Sequence, residues 1–258
     1  MISLERDGAL AVATLARPPV NAINEEWLSH LESVMEDISD AAVLLIRSSQ
    51  KAFSAGADLE LMRGRFESAE GRALMVGLAR GMQRVFARLE RLPQVTIAEI
   101  GGAAMGGGLE LALACDLRIA ADDARLGLPE VRLGLLPGAG GTQRLPRFAG
   151  EAAARRLILG AEVITGNEAV KLNVVHWAAP AAELAARGRA LAAEIAALPA
   201  AALAEAKACI GDPRGYEREL EATARLLERD GTRRLVRAFL EKRRAGAPAP
   251  APRLRERG

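Results

Sequence analysis

Hydrophobic and polar residues follow two periods along this chain. Strict alternation and short apolar runs predict β-strands, and apolar residues spaced three or four apart predict amphipathic helices. The predicted strands lie at residues 2–14 (a hairpin that turns at Asp7-Gly8), 42–46, 94–98, 116–120 and 174–178. The predicted helices lie at residues 25–38, 59–92, 109–114, 165–173, 182–198, 200–210, 218–229 and 232–243. Strand, glycine-rich turn, helix and strand repeat, which indicates a stack of ββα units.

Three regions follow from this pattern. Residues 1–198 contain all of the predicted strands and form one core. Residues 199–244 are predicted to be almost wholly helical. Pro199 separates them from the preceding helix, and Gly211-Asp-Pro213 interrupts them. Residues 245–258 combine Pro-Ala repeats with basic residues, which predicts a disordered tail.

Composition narrows the class of protein. Half of the 258 residues are hydrophobic and 26% are charged, which is typical of a soluble globular protein. Lys and Arg number 35 against 33 acidic residues, and a net charge of +2 gives no reason to expect nucleic acid or a membrane surface as a partner. No apolar run approaches the ~18 residues of a membrane span, and no signal peptide is visible. We therefore expect a cytoplasmic protein.

Metal and thiol chemistry are not indicated. Cys115 and Cys209 are far apart in sequence, and neither has metal-ligand spacing to another Cys or to His30 or His176. Reduced thiols and no metal site are expected.

The first candidate for chemistry is the glycine run 106–108, which leads into a helix carrying Glu110. Glycine permits a close approach of a ligand to the backbone, and the first N–H groups of a helix lack partners within it, so they can hold an oxyanion. Helical side chains tilt toward the N-terminus, which can bring the Glu110 carboxylate over Gly106 and Gly107. A tight turn followed by a favourably placed acid fits the same pattern, and this segment alone does not decide between the two.

Two further segments can complete such a site. The small-residue loop 53–58 follows a strand and can offer more N–H donors, although Asp58 fits a helix cap better than a catalyst. Pro129 fits the first position of a helix, with Glu130 either facing solvent or joining a pocket. The glycine-rich loop 134–141 lacks the Lys-Ser/Thr ending of a phosphate-binding P-loop. Two carboxylates in one pocket beside free N–H groups can add or remove water next to the carbonyl of an acyl thioester.

Four ordered segments resemble the enoyl-CoA hydratase/isomerase (crotonase) superfamily. They are Arg17-Pro-Pro-Val-Asn-Ala-Ile, Lys51-Ala-Phe-Ser-Ala-Gly-Ala-Asp-Leu, the stretch from Gly106-Gly-Gly-Leu-Glu to Cys115-Asp, and Leu128-Pro-Glu through Gly-Gly-Thr-Gln-Arg-Leu. The resemblance runs from about residue 10 to 180. It implies an α/β fold with a crotonase-like ββα spiral core for acyl-CoA binding and catalysis. It also implies a C-terminal helical trimerisation region and a homo-oligomer, either a trimer or a dimer of trimers.

The resemblance also implies roles for particular residues. The N–H groups of Ala57 and Gly107 would bind the thioester oxygen. Glu110 would act as a base on water, and Glu130 would deliver a proton to the α-carbon. The implied substrate and CoA contacts are Ala55, Ala57, Asp58, Leu59, Gly106, Gly107, Pro137 and Gly138. Coenzyme A would be part of the substrate, and no separate cofactor is expected.

The presence of both acids favours an enoyl-CoA hydratase that converts trans-2-enoyl-CoA into 3-hydroxyacyl-CoA. A Δ3,Δ2-enoyl-CoA isomerase needs only the carboxylate that matches Glu130, and it remains an alternative. A non-catalytic crotonase-fold binding protein is the other. The chain departs from the family at Glu60, where a lysine near the CoA phosphates is usual, and Arg63 or Arg65 would have to replace it. It departs again at Arg234-Leu235, where relatives have Glu-Gly.

Overall fold

The computed structural model describes residues 1–244. Its strands are β1 (Ile2–Asp7), β2 (Leu10–Leu15), β3 (Val43–Ser48), β4 (Ala52–Ser54), β5 (Val95–Ile100), β6 (Ala103–Met105), β7 (Leu117–Ala121), β8 (Arg125–Gly127), β9 (Val163–Thr165) and β10 (Trp177–Ala179). Its helices are α1 (Glu25–Asp37), α2 (Leu59–Arg65), α3 (Ala69–Glu90), α4 (Gly107–Leu113), α5 (Gly141–Leu159), α6 (Gly166–Lys171), α7 (Ala181–Ala196), α8 (Ala200–Cys209), α9 (Tyr216–Leu227) and α10 (Asp230–Arg244). A 3₁₀ turn spans Glu130–Leu133. The predicted disordered tail, 245–258, lies outside the described residues.

The strands form two sheets. The larger sheet has the order β1-β2-β3-β5-β7-β10 and is parallel apart from the β1–β2 hairpin. The smaller sheet has the order β4-β6-β8-β9 and is parallel apart from β8–β9. The pairs β3–β4, β5–β6 and β7–β8 each give one strand to each sheet, and each pair is followed by helical structure. This arrangement confirms the predicted α/β fold built from ββα units.

Strand β3 shows why a continuous apolar run suits the larger sheet. Successive side chains of a strand point to opposite faces. Leu44 and Ile46 belong to the main core, which also includes side chains of α1 and α3. Val43 and Leu45 belong to a second cluster that includes Ala192 of α7. Both faces of the sheet are covered, so apolar residues are required at every position, as in other buried parallel sheets.

The helices predicted to start at residues 25 and 165 both begin with a side-chain cap, which is a signal readable in the local sequence. Asn24 caps α1, because its side chain accepts a hydrogen bond from the Trp27 N–H at 2.8 Å. Thr165 and Glu168 form a capping box at the start of α6, in which each side chain bonds the backbone of the other residue. These signals depend only on residues within one helical turn.

The predicted helical stretch at 59–92 is present, but it is divided into two helices. Two helices, α2 and α3, occupy this segment, and Ser68 begins the second by accepting a hydrogen bond from the Gly71 N–H at 2.9 Å. The predicted strand at 174–178 is displaced, because β10 begins only at Trp177. The hydrophobic pattern does not predict β6 or β8, since three residues are too few to show a period.

The chain divides into two compact units, Met1–Ala204 and a second that begins at Glu205, so the division falls within α8. In the second unit, Glu205 accepts hydrogen bonds from Arg225 at 2.7 Å and Arg218 at 3.2 Å.

Among residues 1–244, no helix is long and apolar enough to cross a bilayer. The same residues contain no cluster of His, Cys, Asp and Glu side chains that could hold a metal ion.

Candidate active site

A cavity of about 800 Å³ lies beside the N-terminus of α4. The carboxyl-bearing residues Glu110 and Glu130 both line it. Much of the remaining wall is apolar and comes from α2, α3 and the segment after the 3₁₀ turn, including Met62, Met75, Leu78, Met82, Leu135 and Leu136. An apolar cavity with a few convergent polar groups is the usual form of a small-molecule site.

Glu110 is fixed by the backbone of a distant loop. Its side chain is buried, and its Oε1 atom accepts hydrogen bonds from the Ala139 N–H at 2.8 Å and the Gly141 N–H at 2.7 Å. Gly106, with φ of +51°, makes the turn that starts α4 and places Glu110 on its first turn. The carboxylate therefore has one defined orientation on the cavity wall.

Burial raises the pKa of Glu110. The N–H groups of Gly141 and Ala139 oppose this increase, because they stabilise the charged form, and the Arg144 guanidinium opposes it further.

Glu130 reaches the same place from the 3₁₀ turn. Pro129 precedes that turn rather than occupying its first position, which corrects the sequence-based expectation of a Pro-initiated helix. A methyl group added at Gly106 would lie 2.9 Å from the Glu130 Oε1 atom, so the carboxyl group rests on this glycine. Its Oε2 atom is buried and has no hydrogen-bond partner among residues 1–244. The donor that favours the charged form of Glu130 is its own backbone N–H, whereas the N–H groups of a distant loop hold Glu110.

The environment of Glu130 favours its protonated form. Burial raises the pKa of Glu130 to about 7, and the nearby Glu110 carboxylate adds to the increase. A carboxyl group with a pKa near neutrality can give or take a proton under ordinary conditions.

The loop after β4 and the start of α4 are in direct contact. A methyl group at Gly56 would lie 2.8 Å from the Gly107 nitrogen, and one at Gly107 would lie 3.4 Å from the Ala57 nitrogen. The Gly107 N–H begins α4 and has no partner within that helix. No described residue accepts a hydrogen bond from the Ala57 N–H. Two backbone donors therefore lie close together on the cavity wall, as an oxyanion hole requires.

Most of the site residues expected from the sequence meet at this cavity. Besides the two glutamates, those that line it are Ala55, Ala57, Leu59, Gly106, Gly107 and Gly138. Asp58 and Pro137 are not among its lining residues. Asp58 caps α2 by accepting from the Glu60 and Leu61 N–H groups, and it pairs with Arg17 at 2.7 Å. This geometry agrees with its interpretation as a helix cap.

The arginines named as replacements for a lysine near the CoA phosphates already have partners. Arg63 pairs with Glu60 at 2.5 Å, and Arg65 pairs with Glu25 at 2.6 Å. Neither lines the cavity. A role for either at the CoA phosphates stays a prediction.

Sequence reasoning missed the groups that hold Glu110. The N–H donors of Ala139 and Gly141 lie 29 and 31 positions from it. Arg144 donates a hydrogen bond to the carbonyl of Ala139, and no local sequence pattern predicts this contact either. The glycines of the 134–141 loop were the available signal, because backbone N–H groups in such loops commonly bind anions.

Relatives of known structure and name share this architecture. The family model described as enoyl-CoA hydratase/isomerase matches residues 5–246. The chain is 41% identical to a "Probable enoyl-CoA hydratase" of Bacillus subtilis (strain 168), covering 94% of this chain and 96% of the relative. It is 35% identical to a short-chain-enoyl-CoA hydratase of Clostridium acetobutylicum, covering 94% and 95%. The crystal structure of an enoyl-CoA hydratase from Bacillus anthracis superposes with a TM-score of 0.88 at 32% identity, covering 93% and 96%.

These matches extend over nearly the whole chain, and the solved structure has the same fold. The arrangement of two carboxyl groups beside two backbone donors is thus found in a chain whose relatives are named for chemistry on enoyl thioesters. The chain belongs to the enoyl-CoA hydratase/isomerase (crotonase) family.

Proposed function

We propose that the protein is an enoyl-CoA hydratase, which adds water across the 2,3 double bond of a trans-2-enoyl-CoA to give a 3-hydroxyacyl-CoA. The observation that carries the proposal is the meeting of Glu110 and Glu130 on the cavity wall that also presents the Ala57 and Gly107 N–H groups. The names of the relatives agree with it.

The backbone donors would stabilise the charge that develops during the reaction. As hydroxide adds to the β-carbon, electrons move onto the thioester oxygen and form an enolate. The Ala57 and Gly107 N–H groups would donate hydrogen bonds to that oxygen. In acyl-transfer enzymes, where fixed donors stabilise a comparable oxyanion, each contributes about 3–4 kcal/mol of transition-state stabilisation.

The two glutamates would divide the proton transfers. Both backbone donors to Glu110 bind Oε1, so Oε2 is available to take a proton from water. Glu130, with a pKa raised to about 7, would deliver a proton to the α-carbon as the enolate collapses. One proton moves to Glu110 and one leaves Glu130, and proton exchange with solvent restores both groups.

Coenzyme A would enter as part of the substrate, so the proposed reaction uses no separate cofactor. We also propose that the protein acts in the cytoplasm as a homotrimer or a dimer of trimers, assembled through the C-terminal helices. The support is a set of exposed apolar side chains on α9 and α10: Leu220, Leu227, Leu235, Val236, Phe239 and Leu240. Light scattering on a sizing column would distinguish a monomer from either assembly.

The test of function is the loss of enoyl-thioester absorbance with crotonyl-, hexenoyl- and decenoyl-CoA. Wild type should hydrate at least one of these substrates, and Glu110→Gln and Glu130→Gln should each lower kcat by about 10²–10⁴-fold. Glu151→Gln is the matched control, because Glu151 is an exposed acid paired with Arg155 on the outside of α5. The ranking of the three substrates would give the acyl chain length.

Two other results would replace this proposal. Isomerisation of a 3-enoyl-CoA without any hydration, equal in wild type and Glu110→Gln, would make the protein an isomerase. Absence of both reactions and of acyl-CoA binding would make it a non-catalytic member of the family.

A further inference from the structure

We propose that Arg144 is a positioning residue: anchored by Glu90, its guanidinium fixes the Ala139 peptide group and thereby orients the Glu110 carboxylate. The inference rests on the proposed function, in which Glu110 takes a proton from water.

A single peptide segment links the guanidinium to the glutamate. Ala139 donates its N–H to the Glu110 Oε1 atom at 2.8 Å, and its carbonyl oxygen accepts from Arg144 Nη1 at 2.9 Å. The residue that holds the carboxylate is therefore held in turn by the arginine. A displacement of the Ala139 peptide would move or remove one of the two backbone donors to Glu110.

The arginine is itself held in place. It is only 6% exposed, and its Nε atom donates to Glu90 Oε2 at 3.1 Å. The Nη2 atom lies 3.1 Å from the same oxygen. A guanidinium that binds a carboxylate through two nitrogens has a defined orientation, which a lysine ammonium would not have. The pairing thus fixes the direction in which Nη1 points toward the loop.

Gly140 provides the space for this arrangement. Its φ is +110°, and a methyl group there would lie 2.2 Å from Arg144 Nη1. The guanidinium therefore occupies the place that a side chain at residue 140 would fill. The lack of a side chain at Gly140 and the arginine four positions later are parts of one arrangement.

Helix α3 joins this arrangement to the cavity wall. Glu90 is at the C-terminal end of α3, and Gln83 of the same helix donates to the Gly138 carbonyl at 2.7 Å. Leu78, Ala79 and Met82 of α3 line the cavity. Helix α3 thus forms part of the apolar wall and holds the loop 138–141 directly through Gln83 and indirectly through Glu90 and Arg144. The position of the Glu110 donors depends on helix α3 as well as on the loop itself.

The test compares Arg144→Met with Arg147→Met. Both arginines contact Glu90, but Arg147 is 59% exposed and bonds the other Glu90 oxygen at 2.5 Å. Arg144→Met should lower kcat for crotonyl-CoA by about 10- to 100-fold, the range expected for a misplaced catalytic group, while KM stays within about threefold. Arg147→Met should keep kcat within about twofold of wild type. Arg144→Lys should lower kcat less than Arg144→Met does, because lysine keeps the positive charge but cannot bind the Glu90 carboxylate through two fixed nitrogens.

A pH profile separates positioning from simple loss of folding. In the proposed reaction Glu110 acts as a base, and the charges of Arg144 and Glu130 interact with it. Removing the Arg144 charge raises the pKa of Glu110, so the rise of kcat with pH should move to higher pH in Arg144→Met. A variant that is only partly unfolded would lose kcat equally at every pH.

Amide hydrogen exchange of the substrate-free protein gives a readout that does not depend on activity. The Ala139 and Gly141 N–H groups should exchange faster in Arg144→Met than in wild type and Arg147→Met. If wild type hydrates no enoyl-CoA, the proposed function is wrong. Faster exchange in Arg144→Met would still support the proposal that Arg144 fixes the Ala139 peptide group. Unchanged exchange and unchanged kcat in a folded Arg144→Met variant would overturn the inference. Should that variant not fold, Glu90→Gln takes its place, with a several-fold loss of kcat expected and no loss contradicting the inference.

Discussion

The two segments that carry the site's carboxyl groups differ in how they hold them. Glu110 lies on a buried helix, and two N–H groups bind one of its oxygens. Glu130 begins a 3₁₀ turn, and residues 132–136, at the end of the turn and just after it, are exposed. The Oε2 atom of Glu130 is buried without a partner in the described part of the chain. The first segment controls orientation, and the second controls protonation. A site that needs one base and one acid can obtain them from the same residue type when the surroundings differ in this way.

The two segments also differ in why each requires a glycine. At α4, glycine is required because the β4 loop packs directly on the helix start: a methyl group at Gly108 would lie 2.1 Å from the Ser54 carbonyl oxygen. At the 3₁₀ turn, Gly134 has φ of +70° but open space around it. Close packing restricts the first position, and backbone conformation alone restricts the second.

The largest effect that distinguishes the two acids is expected from their glutamine variants, assayed on both hydration and 3-enoyl-CoA isomerisation. Glu130→Gln should lower both rates by about 10²–10⁴-fold, because both reactions move a proton at the α-carbon. Glu110→Gln should lower hydration to a similar extent and leave isomerisation within about tenfold of wild type, since no water is activated in that reaction. Equal losses of both activities in both variants would show that the two roles are not separate.

The second prediction concerns pH. Hydration requires protonated Glu130, whose pKa is raised to about 7, so kcat/KM should fall as the pH rises above that value. A single group that must be protonated gives about a tenfold loss per pH unit well above its pKa, and about a 50-fold loss between pH 7, where half of the groups are protonated, and pH 9. The measurement is a pH profile with crotonyl-CoA at low substrate concentration. A flat profile up to pH 9 would argue against Glu130 as the acid.

The third prediction compares the two glycines by urea unfolding. Gly108→Ala should lower the free energy of unfolding by about 3 kcal/mol or more, because the contacting atom is backbone and cannot move aside. Gly134→Ala should lower it by only about 1 kcal/mol, the strain of a left-handed alanine. Equal losses would mean that the two segments are packed equally tightly.

The smallest effect is expected at a third acid beside the cavity. Asp58 caps α2, so Asp58→Ala should lower the free energy of unfolding by about 1 kcal/mol. Asp58→Asn should lower it by less, because asparagine is also a good cap. The same urea titration measures both variants. Equal losses for Asn and Ala would indicate that the Arg17 ion pair, which both variants remove, contributes more than the cap.

The sequence predicts the parts of the molecule that depend on neighbouring residues. The period of apolar positions predicts the β1–β2 hairpin, and local capping signals predict the starts of α1 and α6, because each depends on contacts within a few residues. The two carboxyl-bearing segments are visible for the same reason, as an acid after a glycine run and an acid after a proline.

The sequence does not predict contacts made through the tertiary fold. The donors to Glu110 come from the 139–141 loop, and the cavity wall comes from a helix that Ser68 separates from α2. No local period contains the information that Arg144 reaches back to Ala139 across Gly140. The sequence does not predict strands β6 and β8, because they are defined by their pairing within the smaller sheet and not by a hydrophobic pattern.

The contrast between Glu110 and Glu130 is tested most directly by titrating the two carboxyl groups with carbon-13 NMR, in wild type and in each glutamine variant. We expect the Glu130 carboxyl group to titrate near pH 7 and to shift to lower pH in Glu110→Gln, because the variant removes a negative neighbour. A Glu130 signal that titrates like an exposed glutamate, unchanged by Glu110→Gln, would contradict the division of the two residues into an oriented base and a tuned acid.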